Sequence, residues 1–177
     1  MTKTEIITAA ELIFKQLTET CHAVDETVFF HRPQNKWSVA ENVQHLIIST
    51  NTTTLAYTLP GFLVRWIGGM PNRSSRLYET VKEKYYKKLS EGGKASARFV
   101  PKPIEIKYGK QKIMANWQKA TAKFIRALQN NRSEADLDNY LAKHPLLGRI
   151  TLRELCYFTI FHTEHHLLSI HKTRETT

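Results

Sequence analysis

The sequence predicts an all-α protein, a four-helix bundle forming a single domain over residues 1–177. Four segments carry apolar residues at three- and four-residue steps, two Ser/Thr-x-x-Glu boxes mark helix starts, and no alternating strand run is comparably strong. Amphipathic stripes of this kind bury best against one another.

Ile6, Ile7, Ala10, Ile13, Phe14, Leu17 and Cys21 define the first helix, which a break at His31-Arg32-Pro33 separates from the second. The second opens with Ser38 as N-cap and Glu41 three positions on, continues through Val39, Val43, Leu46, Ile47 and Thr50, and stops near Leu59 before Pro60-Gly61. Phe62 to Arg76 reads as a helical extension followed by a loop, and Gly92 to Gly109, with its prolines and lysines, as a surface loop. The third helix carries Ile113, Met114, Trp117, Ala120, Thr121, Phe124, Ile125 and Leu128 and ends near Asn130-Asn131. The fourth follows Gly148, where Thr151 and Glu154 form a capping box and Ile150 can staple onto Leu155.

The apolar runs are too short to span a bilayer and the N-terminus lacks a signal-peptide pattern, so a cytoplasmic location is expected. In that reducing compartment Cys21 and Cys156 are expected to stay unpaired as small core residues. The net charge of +10 is local: Arg73 to Arg126 holds 15 Lys and Arg against 4 Asp and Glu. No nucleic-acid motif accompanies these cations, so they read as a solvated helix face and loop.

His162 and His166, four residues apart, project from one helix face, with Leu155, Phe158, Thr159 and Ser169 beside them, and so look into the bundle. A stable divalent site needs a third ligand from another helix. His45 is the candidate, with Glu41 one turn earlier, although His45 lies off the Val39/Val43/Leu46 stripe. Spacing alone leaves open a metal-free reading, in which the three are hydrogen-bonded core histidines.

Trp37-Ser38-x-x-Glu41-x-x-x-His45-Leu46, His144-Pro145-x-x-Gly148-x-x-Thr151-x-x-Glu154 and His162-Thr163-x-x-His166-Leu167 together resemble the DinB-like (YfiT) superfamily. The resemblance implies a four-helix bundle whose His45, His162 and His166 bind one divalent ion, nickel or zinc. It also implies a metal-dependent hydrolase or a low-molecular-weight-thiol S-transferase acting on a small-molecule substrate, and it suggests a homodimer through helix faces. Three imidazoles with a fourth position open are the arrangement of a catalytic metal. Such an ion activates water or stabilises a thiolate. Pro60 to Lys112 carries no motif of the family.

Glu41 has two readings, an outer residue or base beside His45 and the third residue of a capping box. Glu154 is expected to be a cap, Glu164 a solvated charge, and His165 a residue behind the ligands or on the surface. His144, before Pro145, suits a loop-anchoring hydrogen bond, and His22, His31 and His171 lack partners at ligand spacing. The competing functional reading is a non-catalytic module that holds a small ligand or an acidic partner on the same bundle.

Overall fold

Three of the four long helices begin where a side chain satisfies their first amides. Thr2 Oγ1 accepts the Glu5 amide at 3.3 Å, Ser38 Oγ the Glu41 amide at 3.1 Å and Thr151 Oγ1 the Glu154 amide at 3.2 Å, and each glutamate returns to the cap's own amide. The computed structural model describes every residue except Asn35, Ala95, Thr176 and Thr177, and the side chains of all others but Arg174 and Glu175.

The elements run α1 (Lys3–His22), α2 (Glu26–Phe30), α3 (Val39–Thr58), α4 (Gly61–Gly68), α5 (Tyr78–Ser90), α6 (Lys110–Asn131), α7 (Asp136–Asn139), β1 (Leu141–His144), β2 (Gly148–Thr151) and α8 (Leu152–Glu175). Single 3₁₀ turns lie at Ala97–Phe99 and Ile106–Tyr108. The four expected helices are α1, α3, α6 and α8. α3 and α1 each pack on both α6 and α8, which closes the bundle. Trp117 and Phe124 of α6 meet Phe14 edge to face, with ring centres 5.4 and 5.9 Å apart. Cys21 and Cys156 are both buried in the core. Among the described residues no helix is long and apolar enough to cross a membrane.

Three departures from the sequence reading matter for the site. The expected extension of the second helix is a separate helix, α4, because Pro60 removes an amide from the ladder and turns the chain. The basic segment contains α5, which packs on α8 by burying only Val81 and Tyr85. The chain before α8 pairs as an antiparallel hairpin, Leu141 opposite Thr151 and His144 opposite Gly148. Two strands of four residues, joined by a turn that begins at Pro145, are too short to print a period-two signal. The hairpin also meets α4 backbone to backbone: a Cβ on Gly68 would stand 1.8 Å from the Leu141 carbonyl oxygen.

The junction before α8 is held by a buried carboxylate. Glu154 is fully buried, accepts the Thr151 amide, and also takes two hydrogen bonds from the Arg73 guanidinium at 2.6 and 2.8 Å and one from the Arg76 amide at 2.7 Å. Burial raises its pKa, but these donors outweigh burial and hold it below the usual carboxylate value. Glu154 is therefore a cap and also the anchor of the loop between α4 and α5. Arg73 and Arg76 are about a third exposed and can rehydrate, so the loss on removing the charge is that of the charge-assisted bonds. Glu154→Gln should lower unfolding free energy by roughly 2–3 kcal/mol in urea titrations.

Candidate metal centre

α3 and α8 run antiparallel: the Tyr57 hydroxyl, late in α3, donates to the Leu152 carbonyl at 2.9 Å, and Asn42, early in α3, meets His166 late in α8. This places His45 of α3 against His162 and His166 of α8. All three are buried, with 4 %, 5 % and 7 % exposure. His162 Nε2 lies 3.1 Å from His45 Nε2 and 3.2 Å from His166 Nε2.

The opposite ring nitrogens fix the tautomers. His45 Nδ1–H donates to the Phe99 carbonyl at 2.7 Å, and a carbonyl can only accept. Asn42 Nδ2 donates to the Ser38 carbonyl at 2.8 Å, which turns Asn42 Oδ1 toward His166 Nδ1–H, again at 2.7 Å. Ser49 Oγ stands 3.5 Å from His162 Nδ1. His45 and His166 therefore point bare Nε2 lone pairs inward. One proton on His162 Nε2 can be aimed at one of them and leaves the other facing a lone pair. A cation equidistant from the three nitrogens satisfies all of them. Metal–nitrogen bonds of 2.0–2.1 Å at a tetrahedral angle put the nitrogens about 3.3 Å apart, close to the spacing found. The three histidines thus form a cluster that can hold a metal ion.

Burial keeps them neutral, as ligation requires. It is the main cause lowering the pKa of His45, against a raising contribution from the Phe99 carbonyl. His162 and His166 are driven well below the ordinary imidazole value, first by burial and then by neighbouring histidines. Aromatic rings wall the cluster: Phe158 stacks on His162 with centres 4.6 Å apart, and the Trp37 indole lies parallel to His166 at 6.0 Å.

The cluster opens into a cavity of about 830 Å³ between α3, α4, α8, the hairpin and the loop after α5. That is the size of a small-molecule site. No aspartate or glutamate is among the described residues that line it. The chain matches the family model of the DinB superfamily over residues 10–170. The chain belongs to the DinB superfamily. No curated protein and no solved structure gives a significant match. The match takes in the Pro60–Lys112 stretch that carries no recognisable DinB motif.

The remaining candidates fall as follows. Glu41 is buried, closes the Ser38 box and lies 3.5 Å from the Arg32 guanidinium. His165 lines the cavity, its ring 5.2 Å from that of His166. Glu164, expected to be solvated, pairs with Lys82 at 2.8 Å while remaining partly exposed. His144 Nδ1 accepts the Leu146 and Leu147 amides at 3.2 and 3.1 Å, the anchoring role expected of it, and its ring also packs on Phe158 at 4.2 Å. His22, His31 and His171 are exposed. Asn42 and Phe99 escaped the sequence reading. Asn42 sits one turn before His45 and could have been sought there, whereas a main-chain carbonyl leaves no signal.

Asn42→Ala should weaken metal affinity by about 10- to 100-fold, the usual effect of removing a partner behind a ligating histidine, as measured by competition with a chromogenic chelator. Burial also pushes His144 down to about 4. The unfolded chain then takes up its proton first, so stability is full above about pH 6.5 and falls as pH drops toward 4. His144→Asn keeps an acceptor for the two amides and should flatten part of the fall in melting temperature of metal-free protein between pH 7 and 5.

Proposed function

We propose that this DinB-superfamily protein is a metal-dependent enzyme that holds one nickel or zinc ion on His45, His162 and His166 and transfers a low-molecular-weight thiol to a small-molecule electrophile. The observation that carries the reading is the convergence of three inward Nε2 atoms on a cavity of substrate size. A divalent ion there supplies Lewis acidity that draws the pKa of a coordinated thiol or water toward neutrality.

The chain's own residues supply position and dryness. The Phe99 carbonyl and Asn42 orient two of the ligands, and Phe158 and Trp37 shield them from bulk water. Thiol transfer is preferred to hydrolysis because no carboxylate is among the described residues that line the cavity. A thiolate attacks without further deprotonation, whereas ester or amide hydrolysis gains from a general acid at the leaving group. Glu41, the nearest carboxylate in sequence, is engaged by the Ser38 amide and Arg32. Hydrolysis remains the second reading, with the imidazole of His165 at the cavity wall as the available acid.

Elemental analysis of untagged protein should find about one nickel or zinc per chain, lost in His162→Ala. The loaded protein should consume thiol in the presence of alkylating or epoxide electrophiles, and the variant should not. Protein that stays empty after incubation with both metals would sink the metal reading. Turnover of esters or amides without thiol consumption would instead select hydrolysis.

A further inference from the structure

Five cationic residues line the cavity. Lys36, Arg98 and Lys172 lie at the end beside the histidines, while Lys94 comes from the loop after α5 and Lys143 from β1. Lys36 precedes Trp37, which stacks on His166. Arg98 precedes Phe99, whose carbonyl holds His45. Lys172 follows His166 on α8. Toward the far end of α3 the lining changes to Ala56, Leu59, Val64, Ile67 and Leu155. His162 and Leu155 are seven residues apart on α8, a span on the order of 10 Å, about the length of an octyl chain. The antiparallel pairing of α3 with α8 puts Leu155 at the same apolar end.

We propose that the site takes an amphiphilic anion, with its carboxylate or phosphate at Lys36 and Arg98 and its apolar group reaching along the cavity toward Leu155, Val64 and Ile67. The inference rests on the reading of this cavity as the substrate site and deepens it. No aspartate or glutamate is among the described residues that line the cavity, so the field of Lys36 and Arg98 at its mouth favours an anion.

Calorimetric titration with octanoate, octyl phosphate, 1-octanol and acetate tests this, on both metal-loaded and chelator-stripped protein. Octanoate or octyl phosphate should bind at least tenfold more tightly than octanol or acetate in both forms, and the tighter of the two identifies the head group. Lys36→Glu/Arg98→Glu should abolish the preference over octanol while leaving metal stoichiometry unchanged. Lys119→Glu/Lys123→Glu, an equal charge change on the exposed face of α6, should preserve it. Ile67→Lys should abolish the preference for octanoate over acetate. Equal binding of octanoate and octanol, or equal losses in the two charge-reversal variants, would overturn the proposal even if the protein carries a full metal complement. A preference for the anions in protein that never takes up metal would uphold the proposal and refute the metal reading.

Discussion

Two oxygens that can only accept hydrogen bonds decide the character of the histidine cluster. The Phe99 carbonyl and Asn42 Oδ1 each demand a proton from an Nδ1, and this strips the proton from the Nε2 on the other side of the same ring. Neutral, inward lone pairs repel one another unless a positive centre lies among them. The antiparallel seam of α3 and α8, the Ser38 box that orients Asn42, and the 3₁₀ turn that delivers the Phe99 carbonyl all serve this one arrangement. Burial adds to it by making protonation of the rings an unfavourable substitute for a metal.

The four long helices were legible because each carries a stripe of the right period, and three of them start with a Ser or Thr followed by Glu three residues on, of which the Ser38 and Thr151 boxes were read from the sequence. His162 and His166 were legible for the same reason: four residues on a helix is one turn, and their neighbours are apolar. His45 was not singled out by periodicity, since α3 is buried nearly all round in its first half. Ala40, Glu41, Asn42, Val43, His45, Leu46 and Ile47 are all covered, by α6 and α8 and by the loop over His45, so no single stripe exists to compare it with. Its place came from the family resemblance.

What stayed hidden has physical causes too. Val81 and Tyr85 are the only fully covered apolar residues by which α5 meets the bundle, and two such residues are lost among its lysines. The hairpin depends on pairing between strands too short to show alternation, and α4 on a proline that redirects the chain. These elements wall the cavity, so its shape was less predictable than its chemistry. The basic surplus of the middle segment has more than one use: Lys82 ties α5 to Glu164 of α8, while Arg73 and Arg76 hold Glu154 at the start of that same helix. Charge that looks like a binding surface in one dimension is in part the fastening of the wall.

His45 is steered by the peptide group of residue 99 and not by its side chain. Every amino acid brings the same carbonyl to that position, so the segment from Gly92 to Gly109 can change its sequence widely without disturbing the ligand. It cannot change its length as freely, because one residue added or removed would carry the carbonyl away by more than the length of a hydrogen bond. The loop that looks least constrained by composition is therefore constrained by counting, and homologous loops should diverge in letters before they diverge in number.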